Sequence, residues 1–438
     1  MARPRTRIPL NVFLNGRLVG RLNKETSGAI HFQYDDSWLN WEHVFPVSLS
    51  LPLREDRYVG DPVVAVFDNL LPDNDEIRRR LAERVRAEGS DTYSLLAAIG
   101  RDCAGALQFL PDGQEPGTAG RITGKAISEE RVAGILADLG RTPLGVGQDD
   151  GEFRISLAGT QEKTALLFWK NKWQLPRGGT PTTHILKPQI GKLGNGIDLS
   201  RSVENEHLCM KLTNALGLPT AKTEIADFRD KRVLVVERFD RRWTRDKRLL
   251  RIPQEDCSQA LSVPPVRKYE SDGGPGIRQM LEFLKASDNP EQDQAFFFKA
   301  QIVFWLLGAT DGHAKNFSVF LYPRGGFRLT PSYDVMSLQP SLDAGQIQRR
   351  QMKLAMAVGA RRHYAIDAIM PRHFVQSAEQ AGVPARAVEA LMDELLEKAP
   401  MAIASVAEEL PRDFPENIKS SILGGVERRL RLIRGVSA

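Results

Sequence analysis

The sequence predicts an α+β fold, because strand and helix patterns occupy different stretches of the chain. Residues 8–14 and 17–22 alternate around Asn15-Gly16, a dipeptide that supplies the positive φ angles of a tight hairpin turn. Residues 233–236 are continuously apolar, as is typical of a strand buried on both faces. From about Arg372 onward, apolar residues recur at helical spacing. The length of 438 residues, with 42% hydrophobic residues, allows two or three cores.

The composition argues against a disulfide-rich, zinc-binding or membrane-spanning protein. The three cysteines, Cys103, Cys209 and Cys257, are far apart and lack C-x-x-C spacing, so neither a disulfide framework nor a zinc knuckle is indicated, and a cytoplasmic location is expected. The net charge of +5 is too small to indicate nucleic-acid binding by itself. The most apolar segment, residues 296–307, contains charged and polar residues and is shorter than the ~20 residues of a membrane span. We therefore expect no membrane partner and a buried helix in this segment.

The first 140 residues predict a small sheet followed by helices. Residues 29–34 form a third strand, and Asp73 and Glu76 stand at capping-box spacing before a helix over residues 77–86. The outer face of that helix is basic, which favours a solvated surface and leaves a partner or nucleic-acid contact open. Turn-forming residues dominate 111–120, which we interpret as a linker, and residues 128–139 predict another helix.

Three stretches in the middle of the chain fit an anion-binding or nucleotide-binding site. Strands are predicted over residues 155–158 and 164–168, and the loop between them either turns backbone amides toward an anion or is a plain hairpin turn. Lys187 ends an apolar strand; it either grips phosphates, oriented by Glu204 or Glu206 of a helix over residues 202–216, or is a solvated strand end. Residues 237–239 either form a nucleotide hinge or are an ordinary strand exit.

The loop of residues 271–276 is rich in glycine and precedes a helix over residues 277–285. From the sequence alone, it either covers a site or simply connects two elements. A buried helix over residues 295–307 then leads directly into the most informative motif of the chain, which reads Asp311-Gly312-His313-Ala314-Lys315-Asn316. A hairpin over residues 317–321 and 327–330 is predicted to return Asp334 beside Asn316.

This motif has the residue types that phosphoryl transfer requires. Asp311 opens a loop after a buried helix and suits a base that accepts the proton of an attacking hydroxyl. Asn316 and Asp334 offer oxygen ligands for Mg²⁺, and His313 or Lys315 supplies positive charge to the transferring phosphate. These side chains could instead cap turns and strand ends. The same chain carries an anion-type loop and a strand lysine upstream, which favours a kinase that uses ATP and Mg²⁺.

At this point the sequence resembles the HipA family, the serine/threonine kinase toxins of bacterial toxin–antitoxin modules. The resemblance covers nearly the whole chain, and its motifs are long. Near the N-terminus they are Phe67-Asp68-Asn69-Leu70-Leu71-Pro72-Asp73 and Gly100-Arg101-Asp102. Further on they are Phe153-Arg154-Ile155-Ser156, Ala158-Gly159, Gln161-Glu162-Lys163-Thr164-Ala165, Pro181-Thr182-Thr183-His184-Ile185, Val236-Glu237-Arg238-Phe239-Asp240-Arg241-Arg242, Tyr269-Glu270-Ser271-Asp272-Gly273-Gly274-Pro275-Gly276 and the segment from Gly308 to Ser318.

The resemblance implies a protein-kinase-like two-lobe fold with a small N-terminal α/β domain and an all-helical C-terminal lobe. Applied to this chain, it predicts four segments. They are an N-terminal α/β domain (1–110), a linker and connecting helix (111–150), an ATP-binding lobe (151–255) and a catalytic and helical C-terminal lobe (256–438).

The resemblance also assigns the site residue by residue. It implies an ATP loop that runs from Ser156 to Lys163 and contains Ala158, Gly159, Thr160, Gln161 and Glu162, with Thr160 less closely matched to the family. It implies Lys187 as the phosphate lysine, Glu237 and Phe239 as the hinge, Asp311 as the catalytic base, and Asn316 and Asp334 as magnesium ligands. Ser156 corresponds to a serine whose autophosphorylation inactivates the kinase, giving a loop with two states.

The implied partners are a dimeric helix-turn-helix antitoxin, operator DNA through that complex, and a protein substrate of the translation machinery such as an aminoacyl-tRNA synthetase. Basic patches at residues 78–86 and 428–434 could touch phosphates in such a complex, which the sequence does not decide. Two rival functions stay open. One is a small-molecule kinase of the sugar or aminoglycoside type, which uses the same combination of a catalytic Asp with an Asn and an Asp as metal ligands. The other is a non-catalytic partner that binds only the antitoxin and DNA.

Overall fold

The structure is a computed structural model that describes residues 8–140, 144 and 155–435. The strands are β1 Leu10–Leu14, β2 Arg17–Lys24, β3 Ile30–Tyr34, β4 Tyr58–Val59, β5 Leu107–Pro111, β6 Gly124–Ala126, β7 Thr164–Trp169, β8 Lys172–Pro176, β9 His184–Pro188, β10 Gly191–Lys192, β11 Asp198–Leu199, β12 Thr223–Phe228, β13 Lys231–Glu237, β14 Arg241–Trp243, β15 Leu249–Arg251, β16 Gln254–Asp256, β17 Ser318–Leu321, β18 Phe327–Leu329, β19 Lys353–Val358 and β20 His363–Ala365.

The helices are α1 Asp36–Leu39, α2 Asp61–Asp68, α3 Asp75–Val85, α4 Thr92–Ile99, α5 Glu129–Ala137, α6 Ser202–Ala215, α7 Cys257–Ala260, α8 Ile277–Leu284, α9 Pro290–Leu307, α10 Gln339–Asp343, α11 Pro371–Gln380, α12 Ala385–Glu409 and α13 Glu416–Arg434. The predicted α+β class is thereby confirmed. No helix of the described chain is both long enough and apolar enough to cross a membrane.

The chain divides into two compact units. Unit 1 comprises the described residues of Met1–Pro188, Ala226–Val266 and Ser318–Phe327, and unit 2 those of Gln189–Ile225, Arg267–Phe317 and Arg328–Ala438. The predicted boundaries at residues 110, 150 and 255 stay a prediction.

Unit 1 begins with a five-stranded sheet in the order β4-β3-β2-β1-β5. The predicted hairpin is confirmed: β1 pairs with β2, and Asn15 and Gly16 adopt φ values of 45° and 85° at the turn. The core of this part is aromatic: Phe32, Phe67 and Phe109 are fully buried, and Phe67 packs against each of the other two rings.

A six-stranded sheet in the order β12-β13-β9-β7-β8-β6 carries the predicted nucleotide-binding segments. Its central strands β13, β9 and β7 pair antiparallel, and Val233, Leu234 and Leu186 are fully buried. Burial on both faces explains the continuous apolar pattern that identified these strands in the sequence.

Two local predictions are wrong. Residues 155–158 form no strand, because the Ser156 amide donates to the Asp102 carbonyl oxygen, 2.9 Å away, and not to a strand neighbour. The residues just before them, Phe153 and Arg154, lie outside the described residues. The cap of α3 is Asn74, one residue after the predicted Asp73; its side chain accepts from the amides of Glu76 and Ile77.

A buried ion network joins segments of unit 1 that are far apart in sequence. It contains two carboxylates, Asp102 and Asp240, and three guanidinium groups, and none of the five residues is more than 9% exposed. Arg238 holds Asp240 in a bidentate pair of 3.0 and 2.7 Å. The other two arginines, Arg241 and Arg251, donate to Asp102 Oδ1 at 2.9 and 3.1 Å. Three of the charged residues after β13, Arg238, Asp240 and Arg241, therefore lie in the interior of unit 1, whereas Arg242 is exposed.

Unit 2 is built around α9, whose residues from Phe297 to Leu307 are all buried. The three helices α11, α12 and α13 account for most of residues 371–434, as the resemblance implied for the C-terminal part. The short hairpin of β19 and β20 precedes them. Arg429 of α13 is buried and donates to the Leu306 carbonyl oxygen, so it does not contribute to an exposed basic patch.

Glu255 of β16 is a buried carboxyl group whose titration should be visible in the stability of the protein. Its Oε1 accepts from the Leu49 amide at 2.8 Å, and burial raises its pKa to about 8. Between about pH 4.3, where glutamate titrates in an unfolded chain, and pH 8, the folded state keeps a proton that the unfolded state has lost. The contribution of this group is therefore most favourable below about pH 4 and is lost as the pH rises toward 8.

We expect Glu255→Gln to remove this loss, because glutamine is neutral at every pH. Between pH 5 and 8, the free energy of unfolding of the wild type should fall by on the order of 3 kcal/mol more than that of the variant. Urea unfolding at both pH values measures the difference. Glu115→Gln, at an exposed position, is the matched control and should follow the wild type. Parallel pH profiles for wild type and Glu255→Gln would contradict the assignment.

Candidate active site

The predicted ATP loop, residues 156–163, lies in unit 1 and is folded back on itself. Gly159 forms a bridge with Pro72, and the Lys163 ammonium donates to the Ala158 carbonyl oxygen at 2.6 Å. Gly159 has φ of 106°, a conformation that favours glycine. The Gln161 amide donates to the Pro188 carbonyl oxygen at 3.1 Å, which places the loop against the end of β9. Glu162 pairs with Arg80 of α3 at 3.0 Å, and Thr160 is exposed.

Ser156 begins this loop and is fully buried in the structure. Its hydroxyl donates to the Leu70 carbonyl oxygen at 2.7 Å. Leu70 belongs to the family motif of residues 67–73, for which the sequence alone indicates no role. The structure therefore shows one of the two predicted loop states, the buried one.

Lys187 and the predicted hinge lie on neighbouring strands. Lys187 is buried on β9 and faces Leu234 of β13 in the register, whereas Glu237 faces His184. The two positions are thus three residues apart along β9, about 10 Å. Phe239 lies two residues beyond Glu237 and packs edge-on against Phe320, with ring centroids 5.9 Å apart. The lysine strand β9 and the hinge strand β13 are neighbours in one sheet, and the loop leads directly into β7 of the same sheet.

The predicted catalytic and metal residues lie in unit 2. Helix α9 ends at Leu307 and is capped by Gly308. The Leu338 amide donates to the Gly308 carbonyl oxygen at 3.0 Å, and Ala309 bridges Ser337. Asp311 follows immediately, with its side chain 48% exposed. A Cβ atom on Gly312 would lie 2.4 Å from the Phe304 ring, so only glycine allows the loop to approach the helix this closely. The buried helix therefore fixes the backbone that carries Asp311.

Asn316 is oriented by the same loop. It is 8% exposed, and its side-chain nitrogen donates to the Asp311 carbonyl oxygen at 2.6 Å. With the amide nitrogen engaged, the side-chain oxygen is the atom available to a hard cation, which suits Mg²⁺. Asp334 adopts a left-handed conformation with φ of 60°, and its neighbour Tyr333 donates to the Lys315 carbonyl oxygen at 2.9 Å. That hydrogen bond ties the Asp334 segment to the Asn316 loop.

The described residues contain no group of three or more His, Cys, Asp or Glu side chains able to hold a metal ion. This is compatible with Mg²⁺ bound by one amide and one carboxylate together with phosphate oxygens, since Mg²⁺ in kinases commonly takes few protein ligands. Asn316 and Asp334 fit that arrangement chemically.

His313 lies inside the protein. It is 2% exposed, its Nε2 is 3.5 Å from Asp311 Oδ1, and Lys315 beside it is also buried. Tyr269 packs edge-on against the imidazole, with ring centroids 4.8 Å apart, and its hydroxyl donates to Asp311 Oδ1. The sequence alone indicates no role for Tyr269, although this tyrosine stands first in the glycine-rich motif that precedes α8.

Comparisons with known proteins identify the family of this chain. The HipA N-terminal domain family matches residues 10–110, and the HipA-like C-terminal domain family matches residues 155–403. Y4mE of Sinorhizobium fredii, which is named as a kinase, is 35% identical over 97% of this chain and 98% of its own. The serine/threonine-protein kinase toxin HipA of Shewanella oneidensis is 28% identical over 97% of each chain.

A solved structure is also similar. The chain matches the HipA of Shewanella oneidensis, solved with HipB and its operator DNA, with a TM-score of 0.80 and 26% identity over 98% of this chain and 99% of that one. Both family matches, their coverage and this fold similarity lead to one conclusion: the chain belongs to the HipA family and is a serine/threonine protein kinase.

Proposed function

We propose that this kinase transfers the γ-phosphate of ATP, with Mg²⁺, to a serine or threonine of a protein substrate, and that it is the toxin of a toxin–antitoxin module. The observation that carries the catalytic part is the Asp311 loop, in which a half-exposed carboxylate follows a buried helix and Asn316 is bonded to its backbone. A carboxylate held in this way can accept a hydrogen bond from an attacking hydroxyl.

In the proposed reaction, the acceptor hydroxyl oxygen forms a bond to the γ-phosphorus as the bond between that phosphorus and the oxygen of ADP breaks. The hydroxyl proton passes to Asp311. Mg²⁺, held by Asn316 and Asp334, would neutralise charge on the phosphate oxygens. We assign contacts to the nucleotide to loop 156–163, Lys187, Glu237 and Phe239, and a supporting positive charge to His313.

The partners are proposed from the relatives. The similar Shewanella oneidensis structure contains HipA, HipB and operator DNA, which supports a helix-turn-helix antitoxin and operator DNA as partners of this chain. The substrate that we propose is a cytoplasmic protein of the translation machinery, with an aminoacyl-tRNA synthetase as the precedent in the family. Arg78 and Arg80 of α3 pair with Asp68 and Glu162, so the basic face of this helix is partly neutralised and a weaker candidate for DNA contact.

The direct test is to incubate the purified chain with γ-labelled ATP and Mg²⁺ in a bacterial lysate, beside its Asp311→Asn version. We expect at least one polypeptide to be labelled by the wild type alone, and mass spectrometry would identify it. Label that appears only in small alcohols would instead support a small-molecule kinase. Labelling that is equal in both samples would remove Asp311 from the reaction.

Ser156 offers a test of self-inactivation. A phosphate on its hydroxyl carries about −1.5 to −2 charges and cannot remain against the Leu70 carbonyl oxygen, so a phosphorylated loop must leave the buried state. We predict that Ser156→Ala abolishes self-phosphorylation, measured as label on the chain itself, and does not restore activity to Asp311→Asn.

Ser48→Ala is the matched control for this experiment. Ser48 is also fully buried and donates to a backbone carbonyl oxygen, that of Gln259, but it lies outside the loop. The Ser48→Ala protein should therefore label itself as the wild type does. Undiminished label on Ser156→Ala would place the modified residue elsewhere.

A further inference from the structure

The hydroxyl of Tyr269 reaches the carboxylate that we propose as the base. It donates to Asp311 Oδ1, and the same oxygen is 3.5 Å from His313 Nε2. We infer that Tyr269 is a positioning residue for phosphate transfer: it fixes the orientation of the Asp311 carboxylate and leaves Oδ2 to accept the proton of the acceptor hydroxyl. This inference rests on the proposed role of Asp311.

The Asp311 side chain needs such a restraint. Its backbone is fixed, because its carbonyl oxygen accepts from the His313 amide at 2.9 Å and from Asn316 at 2.6 Å. The carboxylate itself rotates about a broad, soft torsion and is 48% exposed. Tyr269 and His313 both contact this carboxylate at Oδ1, so these contacts set the orientation of the group.

The loop after Tyr269 is built to hold the tyrosine in place. The Gly274 amide donates to the Tyr269 carbonyl oxygen at 2.9 Å, which closes a tight turn. A Cβ atom on Gly274 would lie 2.1 Å from the Arg267 carbonyl oxygen and 2.7 Å from that of Tyr269, so no other residue fits without moving the backbone. The glycines of this motif therefore allow the tight turn that holds Tyr269, and the loop does more than connect to α8.

Glu270 anchors the same loop to the rest of unit 2. Its Oε2 accepts from the Ala357 amide of β19 at 2.5 Å, and its Oε1 pairs with Arg362 at 3.0 Å. The carboxyl group also packs against Gly276, where a Cβ atom would lie 2.5 Å from Glu270 Cδ. Tyr269 is thus positioned by the fold of unit 2 itself, before any substrate binds, which is the form of preorganisation that favours catalysis.

The test compares four full-length proteins: wild type, Tyr269→Phe, Asp311→Asn and the double variant. ADP formation from Mg-ATP is followed with casein as a generic serine/threonine acceptor, so that transfer to casein, to the chain and to water is all counted. We expect Tyr269→Phe to lower kcat by about 10–100-fold with the KM for ATP changed less than about twofold, because a base displaced by a fraction of an ångström still permits binding.

In the Asp311→Asn background, the same substitution should cause no further loss, since the residue that Tyr269 positions is already disabled. An equal loss in both backgrounds, or an unchanged kcat in Tyr269→Phe, would overturn the inference. If Asp311→Asn has no measurable rate, the test rests on Tyr269→Phe alone, which should lower kcat and leave the KM for ATP nearly unchanged. Should Asp311→Asn turn over ATP like the wild type, the proposed function fails whatever Tyr269→Phe does.

Two further tyrosine variants serve as controls. Tyr58→Phe removes a hydroxyl that donates to the Pro52 carbonyl oxygen in unit 1, and its kcat and KM should match those of the wild type. Tyr333→Phe removes a hydroxyl that donates to the backbone of the catalytic loop at Lys315 and not to the carboxylate. The reduction of kcat that Tyr333→Phe causes should also appear in the Asp311→Asn background, because this substitution disturbs the metal-binding segment independently of the base. The contrast between Tyr269 and Tyr333 separates positioning of the carboxylate from general loosening of the loop.

Discussion

Asp311→Asn is expected to lower the rate of phosphate transfer by about 10³-fold while the protein stays folded. A general base contributes about 10²–10⁴-fold to a rate, and an amide cannot accept the proton of the attacking hydroxyl. The substitution keeps the shape of the side chain, and the side chain is half exposed, so no large loss of packing follows. Transfer of label from ATP to a protein acceptor measures the rate, and thermal unfolding checks the fold.

The matched control is Asp393→Asn, at an exposed position on α12 that lies outside the catalytic loop. It removes the same charge and should keep the wild-type rate. ATP binding to Asp311→Asn, measured by the fluorescence of a labelled nucleotide, should also be retained, because the proposed nucleotide contacts lie in unit 1. A loss of less than about tenfold would mean that Asp311 acts by charge alone or does not act in the reaction.

Much of the fold could be predicted because the decisive information is local. The alternation around Asn15-Gly16 specifies a hairpin over a few residues, and continuous apolar runs specify the buried strands β9 and β13. The Asp311 and Asn316 pair could be predicted for the same reason, since one short loop of six residues holds both side chains.

The errors and omissions concern contacts that are distant in sequence. Residues 155–158 resemble a strand, yet Ser156 is held by Leu70 and Asp102, 86 and 54 positions earlier in the chain. The contact between Tyr269 and Asp311 spans 42 residues. A periodicity analysis does not detect such pairs. The signal that could have indicated a role for Tyr269 is the glycine-rich motif itself, because glycines are common where the backbone turns tightly or approaches a neighbouring group closely.

The burial of the charged segment after β13 could not be predicted from its own residues. Its run of charged residues is typical of a solvated surface, whereas Arg238, Asp240 and Arg241 are buried in the ion network. One local hint is that the charged pair Arg101-Asp102 interrupts the otherwise apolar residues 95–107. Carboxylates and guanidinium groups become buried only together, so neither motif could be interpreted without knowledge of the other.

Asp102→Ala should therefore destabilise unit 1 strongly. The Asp102 carboxylate accepts from Arg241, Arg251 and Thr182, so its removal leaves Arg251 buried without the carboxylate that it contacts and leaves Arg241 paired with Asp240 alone. Breaking a buried ion pair from one side costs about 3–5 kcal/mol. Burial alone would raise the pKa of this carboxyl group, but the attraction of Arg241, Arg251 and Arg238 outweighs it and holds the pKa well below its usual range.

The sign of the pH effect follows from this depressed pKa. The stabilisation is fully present above the unfolded pKa of about 3.9 and is lost only as the pH falls through the lower, folded pKa. The difference in unfolding free energy between wild type and Asp102→Ala should thus stay constant from pH 5 to pH 8. Hydrogen exchange followed by mass spectrometry on peptides of β9 and β13 reports the stability of unit 1 directly.

Asp246→Ala is the control for Asp102→Ala. Asp246 pairs with Arg248 at 2.7 Å, a contact as short as those of the network, but both side chains are at least half exposed. Exposed pairs contribute about 0–1 kcal/mol, so this variant should exchange nearly as slowly as the wild type. If Asp102→Ala and Asp246→Ala lost similar protection from hydrogen exchange, the buried ion network would contribute no more to stability than an exposed pair. Burial could then not explain why these distant segments carry opposite charges.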